Sequence, residues 1–205
     1  MSIAITGVRR AGKTYRTYQY IYTLLKKGIL MENICRIQFN DYRLRSLSLK
    51  ELSAIEIAYF SLYPAKQTAE TIYYIFDEIH RIEGWEDYIL HLLDKPRNKV
   101  VITGSTSKLL TGDIASALRG KNFSVVQYPF SFSEFLRYYK VKSDTVSSNG
   151  KAYLRSMIAK YLKQGGFPGL LSLPDKMHIP LLQNYTETMK RIPAILFPDK
   201  RRLQN

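Results

Sequence analysis

The stretch that decides the fold is Gly7-Val8-Arg9-Arg10-Ala11-Gly12-Lys13-Thr14, which follows directly on the short apolar run Ile3-Ala4-Ile5-Thr6. It satisfies the pattern G-x-x-x-x-G-K-[ST] in full. In that pattern a strand gives way to a helix, so backbone N–H groups, a lysine and a helix N-terminus converge on one polyanion. A nucleoside triphosphate is the ligand such a nest suits. Each residue from Gly7 to Thr14, with Tyr15 beside them, is a candidate contact to it. After Thr14 the residues Tyr18, Ile21, Tyr22 and Leu25 recur at i, i+3, i+4 and i+7, which predicts a helix packing that stripe on a sheet. Lys26, Lys27 and Gly28 close it as a C-terminus should.

Outward from the loop the chain alternates strand and helix. Ser2 to Thr6, Ile34 to Phe39, Thr71 to Phe76, Lys99 to Thr103 and Phe123 to Tyr128 read as strands of a mostly buried sheet. Segments of helical period or length lie between most of them. Such alternation predicts an α/β fold: a three-layer sandwich with a mostly parallel five-stranded sheet, helices on both faces and ligands at the carboxyl ends of the strands. Ser131-Phe132-Ser133-Glu134 has the form of a capping box and opens a short helix to about Tyr139. Lys142 to Gly150 reads as a linker or surface loop. Lys151 to Gln164 has a helical pattern ended by Gly165-Gly166, and Pro180 suits the first turn of a last helix. The expected organisation is therefore a core over residues 1–130 and a helical, lid-like appendage over 131–205.

Composition bounds the function classes. With 205 residues, 45% hydrophobic and 23% charged, the chain is globular and long enough to bury a core. No apolar stretch approaches the roughly 20 residues of a bilayer span, and the first apolar segment is too brief for a signal peptide. A cytoplasmic location without membrane contact is the expectation. The single cysteine, Cys35, cannot form an internal disulfide and lies in an apolar run, where a buried thiol is expected. The formal charge of +14, from 31 Lys+Arg against 17 Asp+Glu, attracts polyanions, so DNA or RNA is a candidate partner. Scattered solvated positions, or an acidic partner, would account for the same excess.

The remaining chemistry sits on the third and fourth strands. Ile72-Tyr73-Tyr74-Ile75-Phe76-Asp77-Glu78 is an apolar run ending in two carboxylates. Asp77 at the strand tip suits a magnesium ion together with Thr14 and phosphate oxygens, because magnesium takes hard oxygen ligands. Glu78 is then placed to orient or deprotonate an attacking water. The other reading is that the pair merely starts a loop. A guanine-reading Asn-Lys-x-Asp is not formed at Asn98-Lys99, which Val100 and Val101 follow, so ATP is favoured over GTP. In Thr103-Gly104-Ser105-Thr106-Ser107, Thr103 and Ser105 are candidate sensors of the γ-phosphate or the water, and Ser107 a candidate helix cap. Arg119 is either a charge stabiliser or an exposed helix-end arginine. Trp85 is expected to pack the helix it opens, and His80 to support the site from behind or to lie at the surface, in either case without acting as a catalyst.

Several stretches recur together: Gly7 to Thr14, Phe76-Asp77-Glu78-Ile79-His80 with Gly84-Trp85-Glu86, Ile102-Thr103-Gly104-Ser105, Leu118-Arg119-Gly120-Lys121, Tyr128 to Phe135, and Gly165-Gly166-Phe167-Pro168. In that order they resemble the prokaryotic AAA+-type ATP-binding proteins, the archaeal-ATPase-like group of P-loop NTPases. Members pair such an ATPase domain with a C-terminal winged-helix and nuclease-like region. The resemblance implies ATP and magnesium, with Lys13 on the phosphates, Thr14 and Asp77 at the metal, Glu78 as base, and the Thr103 to Ser105 turn as sensor. It departs where members carry a helical segment before the first strand, a glutamine in place of His80 and an arginine in place of Lys121. The chain also stops at Asn205, before the C-terminal region, as a fragment, a truncated gene product or a minimal member would. The functional expectation is a magnesium-dependent ATPase driving a conformational switch linked to nucleic acid, a protein partner or further copies of itself. The alternatives are an ATP-binding switch or interaction module with little or no turnover, and, more weakly, a phosphotransferase.

Overall fold

Five short runs of β-branched and aromatic residues, β1 (Ser2–Thr6), β2 (Ile34–Gln38), β3 (Tyr73–Asp77), β4 (Lys99–Thr103) and β5 (Asn122–Val126), pair into one sheet. The order is β2-β3-β4-β1-β5 and every pairing is parallel. The computed structural model describes residues 1–68, 70–105, 118, 120–141 and 146–190, the last three without their side chains. By contacts the chain divides into two compact units. One comprises Met1–Gly7 and Lys13–Gln127, the other Val8–Gly12 and the described residues from Tyr128 onward.

In the first unit the period of two along each strand sorts side chains to opposite faces. Tyr74, Phe76, Val100 and Ile102 point to one side, where they meet Leu52, Tyr59, Trp85, Ile89 and Leu92 from α2 (Ser53–Leu62), α3 (Trp85–Leu93) and the turn before α2. Phe76 stands edge-on to Phe39 at 5.6 Å and stacks with Tyr88 at 6.0 Å, separations at which aromatic pairs attract. Ile5, Ile75 and Val101 point the other way, against Tyr20 and Ile21 of α1 (Lys13–Lys26). Helix, sheet, helix is the three-layer arrangement, with the strands' carboxyl ends brought to one edge. Trp85 and Cys35 are buried, as expected of a packing residue and a structural thiol. Burial pushes the Cys35 thiol up to about 12, with the nearby Glu56 carboxylate adding to the effect.

Two expectations are corrected here. The stripe that α1 buries is Lys13, Thr17 and Leu24, whereas Tyr18, Tyr22 and Leu25 are 47%, 59% and 37% exposed. Tyrosine counts as apolar in a periodicity, but its hydroxyl tolerates water, and Thr17 can lie inward because its hydroxyl donates to the Thr14 carbonyl at 2.7 Å. The second correction concerns β5, which is an exposed edge and not a buried strand. Its apolar residues look like those of the central strands, but among the described residues it has a neighbouring strand on one side only, which leaves Phe123, Val125 and Val126 open.

The second unit is helical: α4 (Phe132–Tyr138), α5 (Ser148–Gln164) and α6 (His178–Lys190). Ser131 and Glu134 form the capping box of α4, each side chain taking a backbone N–H of the other. Phe135, Met157 and Leu171 make its core. Helix α5 begins within the expected linker, capped by Ser147, whose hydroxyl accepts from Gly150 N–H at 3.0 Å; residues 142–145 of that stretch lie outside the described residues. Gly165 ends α5 with a positive φ of 71°. No described helix is long and apolar enough to cross a membrane.

Candidate functional site

Parallel register fixes which strand tips meet. Gln38 pairs with Asp77, Phe76 with Ile102, and Ile5 with Thr103, so β2, β3, β4 and β1 end nearly level. Asp77 is the last residue of β3 and Thr103 the last of β4, and both are fully buried. The Thr103 hydroxyl donates a short hydrogen bond to Asp77 Oδ1. It also accepts from the backbone N–H of Glu78 at 3.1 Å, an N–H shared with the Thr103 carbonyl at 3.1 Å. One threonine thus ties both acidic residues to the end of β4. Its single proton is committed to Asp77, so any sensing by Thr103 runs through that carboxylate.

Glu78 adopts φ 60°, ψ 36°, a left-handed conformation uncommon for a residue with a side chain. Such outliers persist where the surroundings over-determine them. Here the parallel ladder ends at Asp77 and the Thr103 bond holds the next peptide, so the chain turns sharply into the Ile79–Arg81 turn. Glu78 Oε2 comes within 3.4 Å of His80 Nε2, which places His80 beside the acidic pair. Ser105 is buried just beyond the tip of β4.

The loop's two ends belong to the first unit. Gly7 has φ 148°, and a Cβ there would lie 2.2 Å from the Gln127 carbonyl oxygen, so only glycine fits the seam where Gln127 N–H donates to the Thr6 carbonyl at 2.7 Å. Lys13 is buried at the start of α1, its ammonium donating to the Gly7 carbonyl at 3.0 Å. Thr14 follows, half-buried, and Tyr15 is exposed. Between those ends Val8–Gly12 group with the second unit. There Ala11 N–H turns back to the Val8 carbonyl at 3.3 Å, and the Arg10 guanidinium lies 4.1 Å from the centre of the Tyr185 ring. Arg9 is exposed, and Arg119 lies outside the described residues.

A family model described as an AAA domain matches residues 1–136, about two thirds of the chain. The chain belongs to that family. Nucleotide binding of the ATPase type on a P-loop NTPase fold comes with membership. Relatives include an uncharacterized protein of Methanocaldococcus jannaschii, 36% identical over 174 residues, covering 84% of this chain and 36% of its own. Another is an uncharacterized protein of Haemophilus influenzae, 30% identical over 185 residues, covering 90% of this chain and 44% of its own. The chain thus spans less than half the length of either relative. Among solved structures, the Saccharomyces cerevisiae Hsp104:casein complex aligns over 91% of this chain and 35% of its own, with 13% identity and a TM-score of 0.47. The Aeropyrum pernix ORC1 protein in complex with DNA aligns over 92% and 60%, with 13% identity and a TM-score of 0.41. Likeness at that level carries no argument about this AAA domain.

The donor set at the tip of β3 fits a magnesium ion. Among the described residues Asp77 Oδ2, which is buried, accepts no hydrogen bond, an oxygen with open lone pairs beside a hydroxyl-bearing strand end. One basic residue beside this AAA domain's acidic pair is not among those singled out from the sequence: Arg36 of β2, whose Nη2 lies 3.5 Å from Asp77 Oδ2. The signal for it was an arginine inside the apolar run Ile34-Cys35-Arg36-Ile37. A charge in such a run needs a partner on a neighbouring strand, and only the register reveals which.

Proposed function

We propose that this AAA domain binds ATP with magnesium and hydrolyses it, and that the resulting change of state is passed to a partner. The observation that carries the reading is the Asp77–Thr103–Glu78 network, which fixes the Asp77 carboxylate and the Glu78 backbone at the strand tips next to the end that delivers Lys13. Backbone N–H groups of residues 7–14 would cradle the phosphates, with Lys13 releasing the Gly7 carbonyl for a phosphate oxygen. Thr14 and Asp77 would hold magnesium, which supplies neutralisation of the phosphate charge. Glu78 orients and deprotonates the attacking water, with His80 as its neighbour. Ser105, and Thr103 through Asp77, report the state of the γ-phosphate, and Arg119 is assigned to stabilise charge in cis or in trans. The net charge of +14 favours DNA or RNA as the partner.

Phosphate release from ATP, measured with and without DNA, tests this. The wild type should require magnesium, Lys13→Ala should lose both binding and release, and Glu78→Gln should keep binding while release falls by roughly 10²–10⁴. Equal release by all three overturns the assignment. ATP affinity without release, even with DNA present, would make the protein a nucleotide-dependent switch. Phosphate transferred to a small acceptor instead of water would make it a phosphotransferase.

A further inference from the structure

Asp77 is completely buried, and a buried carboxylate without a compensating charge is strongly destabilising. Among the described residues its ion-pair partner is Arg36. The two reach each other because Arg36 precedes Gln38 by two, and Gln38 is in register with Asp77, so all three side chains leave the sheet on the face that α1 covers. There the guanidinium has a seat of its own. Its centre lies 4.5 Å from the middle of the Tyr18 ring, and Nη2 donates to Gln38 Oε1 at 3.4 Å.

The pair is only half made. An arginine and a carboxylate at their best form two parallel hydrogen bonds. Here the approach is 3.5 Å, and among the described residues Asp77 Oδ2 accepts no hydrogen bond and Arg36 Nε, also buried, finds no acceptor. Asp77 Oδ1, by contrast, is taken by Thr103. One oxygen is therefore fixed and the other is neutralised but left open.

We propose that Arg36 is a positioning residue: it serves as the counter-ion of Asp77 while no divalent cation is bound, and yields Oδ2 to the cation when one arrives. The Tyr18 ring and Gln38 keep the guanidinium seated after the exchange, so α1 and β2 carry the displaced charge without refolding. The hand-over rests on the reading of Asp77 as a metal carboxylate; the counter-ion role does not.

Thermal unfolding of the whole chain tests both, with wild type, Arg36→Met, Arg36→Lys, Asp77→Asn and the double variant Arg36→Met/Asp77→Asn. In EDTA, Arg36→Met should unfold several degrees below wild type, and Arg36→Lys should fall between them. Adding Asp77→Asn should restore most of the loss, because the stranded charge is gone. An Arg36→Met protein that fails to fold, beside a double variant that folds, gives the same answer. Magnesium chloride with ATP should then raise the midpoint of Arg36→Met by more than that of wild type, since the cation fills a site with no resident counter-ion. A loss unchanged by Asp77→Asn overturns the counter-ion role and leaves Arg36 a packing residue. A metal-dependent rise no larger in Arg36→Met than in wild type overturns the hand-over. A wild type that does not respond to magnesium and ATP overturns the nucleotide reading, and the hand-over with it, while the double variant still decides the ion pair.

Discussion

β3 and β5 are parallel strands of five residues each in the same sheet, and they are built to opposite ends. In β3 every residue after Tyr73 is buried, and the strand ends in a carboxylate held by a neighbour on each side. In β5 every residue after Asn122 is exposed, and among the described residues no strand pairs with its outer edge. Central position gives β3 two ladders and two covered faces, so its tip is rigid enough to hold Asp77 and Glu78 where chemistry could use them. Among the described residues β5 has one ladder, and the residue just after it, Gln127, meets the loop through the carbonyl that forces Gly7. A buried charge is tolerable where both neighbours can answer it, and the edge offers no such place.

Substitutions can break that contrast. Phe76→Ala should cost about 3–5 kcal/mol, the usual range for emptying a buried aromatic site, measured by urea unfolding. Gly7→Ala should follow at about 2 kcal/mol, because its Cβ would meet a backbone oxygen at 2.2 Å and its φ of 148° is strained for any side chain. Thr103→Val should cost a similar ~2 kcal/mol, since it strips a charged acceptor of its hydrogen bond in a buried site. Phe123→Ala on β5 should cost less than ~1 kcal/mol, because a ring that is 57% exposed has little burial to lose. If Phe123→Ala proved as costly as Phe76→Ala, β5 would be no open edge. Cys35, on β2 but inside the core, should resist thiol reagents at mild pH until the chain unfolds, its thiol being held near 12 by burial.

Much of the fold was legible because the strands are short, apolar and punctuated. β1 and β4 begin and end where the residues predicted, and β2 and β3 differ by one or two positions. The sheet is wholly parallel where mostly parallel was expected. What failed were properties that depend on neighbours far along the chain. The tyrosines of α1 satisfied a helical period, yet the face turned inward runs through Thr17, which no apolar count would choose. Val125 and Val126 of β5 look no different from Val100 and Val101 of β4, because composition does not say which strand lies at an edge. At the candidate site the motif residues were visible one by one. That Thr103 bonds Asp77, or that Arg36 faces it, follows only from register between strands separated by many residues. Likewise nothing local in Val8–Gly12 says that these five residues group with the helical unit.

The central claim is that the tip of β3 forms the metal half of a nucleotide site. Its most direct test is the affinity for ATP, by titration calorimetry with magnesium and with EDTA, in wild type and Asp77→Asn. Wild type should bind ATP markedly more tightly with magnesium, and Asp77→Asn should lose most of that gain while still binding the metal-free nucleotide. An equal magnesium gain in both proteins, or no ATP binding by the wild type, would contradict it.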